Sequence, residues 1–119
     1  MGERFKLGKL GENAAVRYLK QNGYQVIERN YRCKYGEIDI IAKDGDSLVF
    51  VEVKSRTSSR YGTPYESVDW RKQRKIRRLA AIYLQSRGRY MGQCRFDVVG
   101  VQLTITGEVV DVSIIKNAF

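Results

Sequence analysis

Apolar positions along the chain change their period several times, and each change marks an element. From Leu10 to Asn22 (LGENAAVRYLKQN) the apolar residues recur at helical spacing. Gly23 follows, at the place where a helix end favours a residue tolerant of positive φ. Tyr24–Asn30 then reads as a short strand, and Gly36–Lys43 and Ser47–Lys54 as two longer ones rich in Ile, Val and Phe. Asp44-Gly45 between these two is a strong hairpin signal. Arg56–Tyr65 is polar, contains the proline and reads as an exposed loop. A second helix is predicted over Val68–Gln85, capped near Ser67 or Asp69 and ending near Gly88. Arg95–Leu103 and Glu108–Ile115 complete the order α-β-β-β-α-β-β, a mixed sheet flanked by helices in an α/β or α+β arrangement.

Composition narrows the function. The 119 residues suit one domain, residues 1–119, with 43% hydrophobic residues, a single proline and no repeat. No apolar run approaches the roughly 20 residues of a membrane span, and Met1–Leu10 lacks the apolar core of a signal peptide, so a cytoplasmic location is expected. With no histidine, imidazole acid/base chemistry and Ser-His-Asp hydrolysis are excluded. Cys33 and Cys94 form no close-spaced pair and are expected to be reduced, partly buried thiols. Any chemistry must then run on carboxylates, lysine and a hard metal ion. The net charge of +9 favours a polyanionic partner such as nucleic acid. A membrane surface fits less well, because no segment joins a basic face to a broad exposed apolar one.

The stretch GEIDIIAKDGDSLVFVEVKSR, Gly36 to Arg56, holds five acidic residues within two otherwise apolar strands. With a two-residue turn at Asp44-Gly45, Glu37 faces Glu52 and Asp39 faces Phe50. Glu37, Asp39, Phe50, Glu52 and Lys54 then share one face, and Ile38, Ile40, Val49, Val51 and Val53 form an apolar one. Clustered carboxylates repel and need compensation. Lys54 can neutralise one charge. Mg²⁺ or Mn²⁺ can do more, since such ions take one or two carboxylates with waters and phosphate oxygens, and a strand carbonyl such as that of Val53 could add to them. The alternative is a set of surface salt bridges to Lys54 and Arg56 on a solvated sheet face.

Both helices carry polar residues out of place. Glu12 lies in line with Ala15, Val16 and Leu19, the stripe that packs on the sheet, or else is an edge residue favoured by the helix dipole. Gln73 is similarly in register with Ile76, Ala80 and Tyr83. Between these apolar positions the second helix presents Arg71, Lys72, Arg74, Lys75, Arg77 and Arg78 with almost no acid interspersed. With Arg56 and Arg60 of the preceding loop they form a candidate nucleic-acid surface reading backbone and shape.

A carboxylate on the first helix, then G-E-I-D on one strand and V-E-V-K-S-R on the next, resembles the PD-(D/E)xK nuclease superfamily with its restriction-endonuclease-like core. Within it the chain most resembles the YraN family, related to archaeal Holliday-junction resolvases. The likeness runs through LGENAAVRYL, GYQVIERNYR, GEIDIIA, LVFVEVKSR, YGTPYESV, Lys72-Gln73, RFDVVGV and the terminal NAF. The superfamily's proline before the first acidic residue is replaced by Ile38. The resemblance implies a mixed five-stranded sheet flanked by helices. It implies Asp39 and Glu52 as metal ligands, Lys54 as the active-site lysine, Glu12 as a further carboxylate turned to the metal, and Gln73 as a positioning group. The cofactor would be Mg²⁺ or Mn²⁺ and the partner nucleic acid, DNA first, with homodimerisation expected by analogy with resolvases that cut two strands.

Such a site would hydrolyse a phosphodiester without a covalent intermediate, as in repair or recombination, at a rate rising with pH. The alternative is a noncatalytic nucleic-acid-binding protein that retains the nuclease fold. The assembled carboxylates favour catalysis, because each opposes phosphate binding unless a cation intervenes.

Overall fold

The computed structural model describes residues 2–57, 68–87 and 92–119, with side chains from residue 7 onward. Its elements are α1 (Gly2–Gln21), β1 (Gln25–Cys33), β2 (Gly36–Asp44), β3 (Ser47–Arg56), α2 (Trp70–Ser86), β4 (Gln93–Leu103) and β5 (Val109–Ile115). The order matches the one predicted. The fold is a mixed α+β arrangement of five strands and two helices, compatible with a restriction-endonuclease-like core. The strands lie in the order β1-β2-β3-β4-β5. Neighbours are antiparallel except β3 and β4, which run parallel because α2 intervenes as a crossover.

The helices divide the core between the two faces of the sheet. Ala15, Val16 and Leu19 of α1 pack on Ile40, Val49, Val51, Val99 and Val101. Leu79, Ala80 and Tyr83 of α2 pack on Tyr31, Ile38, Ile41 and Phe50. α1 starts earlier than its predicted Leu10, since Leu7 also packs against the first of these clusters. Gly11 allows the close approach: a Cβ there would collide with Ser55 Oγ of β3. At α2 the cap is Asp69, whose Oδ1 accepts the Lys72 N–H at 3.0 Å. The alternative cap, Ser67, and nearly all of the Arg56–Tyr65 loop lie outside the described residues, as does the Gly88 end of α2.

The hairpin register differs from the expected one. Asp44 pairs with Ser47, so the turn is Gly45-Asp46, with Gly45 at φ 61°. The physical reason is distant in sequence. Arg95 of β4 holds the Asp44 carboxylate at 2.8 Å, with Lys116 at 3.5 Å, and so keeps Asp44 in the strand. The shared-face expectation also fails along β2. Ile40 packs toward α1 whereas Ile38 packs toward α2, so the alternation breaks at Asp39. Glu37 and Asp39 therefore do not share a face with Phe50. Cys94 is exposed rather than partly buried, and Cys33 is half-buried; both are free thiols.

Candidate active site

Where the alternation breaks, the β2–β3 ladder ends. Its last pair is Ile40 with Val51, and beyond it the Asp39 side chain takes over the role of a strand carbonyl: Oδ2 accepts the Val53 N–H at 2.8 Å. The Asp39 carboxyl thus sits in the opening between two strands, inside the sheet rather than on either face. A cleft of about 700 Å³ opens there toward α1, lined among others by Glu12, Glu37, Asp39, Val53 and Ser55.

Asp39 pairs with no basic side chain among its described contacts, and this shows in its protonation. Burial, then the nearby negative charge of Glu52, pushes its pKa up to about 7. The Val53 N–H and Lys72 offset this only in part.

Glu12 enters the same cleft from α1, as the helical register predicts. It is not left uncompensated. Its Oε1 accepts from Arg29 at 2.8 Å and from Asn30 at 3.0 Å, both on β1. Glu37 is held by Arg32 at 2.6 Å. Arg29, Asn30 and Arg32 were not distinguishable in sequence from other polar residues of a strand, because only the pairing of β1 with β2 brings them to the cleft.

Glu52 and Lys54 form a second group on the α2 side. Glu52 is buried, and its Oε1 lies 2.8 Å from Lys72 Nζ and 3.7 Å from Lys54 Nζ. Lys72, expected only as a phosphate contact, is therefore the principal counter-charge of Glu52. Its pKa rises: desolvation pulls it down, but the hydrogen bond and charge of Glu52 outweigh that. Lys54 moves the other way, lowered first by burial and then by the neighbouring Lys72. Gln73 donates from Nε2 to the Val68 carbonyl at 3.0 Å, which fixes the entry into α2.

Of the expected basic surface, Arg71, Arg74, Lys75 and Arg78 are exposed along α2, and Arg56 is half-buried at the end of β3. Arg60 lies outside the described residues. Arg77 points elsewhere, stacked over Phe96 at 5.0 Å and Phe119 at 5.5 Å. Among the described residues no three His, Cys, Asp or Glu side chains converge as a ready metal site. A hard divalent ion does not require three: one or two carboxylates suffice when waters and substrate oxygens complete the shell.

A second buried carboxylate, Asp97, was missed in the sequence because RFDVVGV reads as an ordinary strand. It is fully buried and fully engaged. Oδ1 accepts from Arg95 and from the Asn117 N–H, each at 2.9 Å, and Oδ2 from Arg95 and Tyr24, each at 2.8 Å. This network joins the start of β4 to the hairpin turn and the C-terminal segment, and it is structural.

Fold and site together define a mixed α+β protein with an uncompensated aspartate at a strand opening and a lysine-braced glutamate beside it. The chain belongs to UPF0102, an uncharacterised protein family, whose family model matches residues 11–101; this is the YraN-like assignment to which the sequence motifs pointed. A UPF0102 protein of Moorella thermoacetica is 53% identical over 116 residues, covering 98% of this chain and 97% of that protein. Those of Caldicellulosiruptor saccharolyticus and Syntrophus aciditrophicus are 47% and 48% identical, over 96% and 100% of this chain and 97% and 92% of their own lengths. No helix among the described residues is long and apolar enough to cross a membrane.

Proposed function

We propose that this protein is a nucleic-acid-binding, metal-dependent phosphodiesterase of the PD-(D/E)xK type, endonuclease-like and acting on DNA. The observation that carries this reading is Asp39. A carboxylate set into a strand opening, pushed up to about 7 by burial and Glu52, is a liability to the fold unless a cation relieves it.

The donor set suits a hard ion. Asp39 has one oxygen on Val53 N–H, Glu52 has one oxygen on its lysines, and the Val53 carbonyl lies in the chain between Glu52 and Lys54. Asp39, Glu52 and Val53 would hold Mg²⁺ or Mn²⁺, which when bound neutralises phosphate charge and acidifies water. Lys54, lowered by burial and by Lys72, can orient the attacking water or stabilise the charge that develops on the phosphate oxygens. Lys72 holds the Glu52 carboxylate in place. Glu12, braced through Oε1 by Arg29 and Asn30, lines the same cleft and keeps its other oxygen for a metal-bound water. Arg71, Arg74, Lys75 and Arg78 supply phosphate attraction.

One observation favours the noncatalytic alternative: Glu52 and Glu12 already have their own cationic partners. The two readings separate in one experiment. Junction, flap, duplex and single-stranded substrates are incubated with Mn²⁺ and wild type, Asp39→Asn or Lys54→Ala. Loss of cleavage in both variants with retained binding supports the phosphodiesterase. Binding without cleavage by the wild type supports the alternative. Cleavage that persists in excess chelator overturns the metal-dependent reading.

A further inference from the structure

The outer face of α2 carries more than charge. Trp70 is 60% exposed at the start of the helix, and Tyr35, in the turn between β1 and β2, is 42% exposed. Both rings are already engaged by arginines. Arg71 and Arg74 lie 5.4 and 5.9 Å from the Trp70 ring centre, and Arg78 lies 4.2 Å from that of Tyr35. Trp70, Arg74 and Arg78 are spaced i, i+4, i+8 and so form one stripe about 12 Å long. Tyr35, Arg74, Lys75 and Arg78 enclose a groove of about 400 Å³ at its far end.

We propose that this stripe is a subsite for an unpaired segment of nucleic acid, with bases stacking on Trp70 and Tyr35 and phosphates held by Arg74, Lys75 and Arg78. It deepens the function proposed above, on which it rests only for the choice of nucleic acid as ligand. Base faces are open to an aromatic ring only where the strand is unpaired, and aromatic rings beside a basic track are the general means of holding single strands. A purely electrostatic duplex contact has no use for exposed rings. An anionic membrane is disfavoured because Ile76, Leu79, Ala80 and Tyr83 of α2 are buried against the sheet, and Trp70 and Tyr35 are separated rings rather than a broad apolar face. The natural substrate is accordingly one with a single-stranded portion: a flap, an overhang, a branch point or a free single strand.

Trp70 is the single tryptophan of the chain, so its fluorescence reports this subsite alone. The test is a titration of the full chain in chelator, where cleavage plays no part, with oligo-dT, oligo-U and a blunt duplex of equal length. Oligo-dT, oligo-U or both should quench Trp70 emission, and the duplex much less; which of the two binds tighter assigns DNA or RNA. By anisotropy, Trp70→Ala and Tyr35→Ala should each weaken single-strand binding roughly 5- to 100-fold while Trp70→Phe largely retains it. Duplex binding should change less than about twofold, since its phosphate contacts remain. Circular dichroism checks that the variants are folded. Equal loss on duplex and single strand, absence of quenching, or equal quenching by polyglutamate or anionic phosphatidylserine vesicles overturns the proposal. Because no readout involves metal or cleavage, failure here leaves the Asp39 site standing, and an inactive Asp39 site leaves this one testable.

Discussion

Asp39 holds its charge where the fold gains least from it. The carboxyl is ordinary in the unfolded chain, near 3.8, and is pushed up to about 7 in the folded one. Between about pH 4 and 7 the unfolded chain therefore ionises while the native chain does not, so stability falls as pH rises through that window and is level above it. Asp39→Asn keeps an oxygen to accept the Val53 N–H and removes the charge. The variant should match wild type near pH 4 and exceed it at pH 8, by on the order of a few kcal/mol. Urea unfolding at both pH values measures this. A variant less stable than wild type at pH 8 would show that the carboxylate is a structural asset and would remove the main support for a cation there. G-E-I-D and V-E-V-K single Asp39 out in the sequence as a candidate. Its position between strands was not legible there, because the break in alternation depends on which helix each neighbouring isoleucine meets.

At the scale of elements, α2 couples the two proposed activities. Its first turn supplies Lys72 to Glu52 on the inside and Trp70 to solvent on the outside. Asp69 fixes that turn through the Lys72 N–H, and Gln73 ties it back to Val68. Asp69→Ala should cost about 1 kcal/mol in denaturant-unfolding free energy, the usual worth of such a cap. It should also loosen the Glu52–Lys72 contact, seen as altered chemical shifts of the Glu52 carboxyl. An unchanged stability would mean that the helix start is held by other contacts. The helix and its cap were readable from period and residue type, which are local properties. The Glu52–Lys72 pairing was not, because it joins residues brought together only by the crossover from β3 to β4.

Across the whole molecule the sheet separates two duties. One end, where β2 and β3 part, holds the cleft and its carboxylates. The network of Asp97, Arg95, Tyr24, Asp44 and Asn117 lies away from it and knits strand starts to the C-terminal segment. Burial, then the hydrogen bond to Asp97, raises the Tyr24 hydroxyl, while Arg95 holds the Asp44 carboxyl below its usual range. Asp97→Ala leaves the half-buried Arg95 guanidinium with Asp44 as its remaining carboxylate and takes the acceptor from the buried Tyr24 hydroxyl, and it should destabilise the protein by about 3 kcal/mol, with unfolding measured by calorimetry. A loss under about 1 kcal/mol would mean that water replaces the carboxylate without difficulty. This network sets the hairpin register through Asp44, and hence the alignment of β2 with β3 that leaves Asp39 at the opening.

The order of elements, the helix faces, the basic stripe and the candidacy of Asp39, Glu52 and Lys54 follow from the sequence by itself, because period, turn chemistry and short motifs are local. Only the tertiary structure decided the rest. It moved the turn to Gly45-Asp46, divided the carboxylates between a cleft and a lysine pair, and set Tyr35 beside Arg78. Each of these depends on a contact between residues far apart in the chain, and a one-residue change of register in a strand is invisible to a pattern whose period is two.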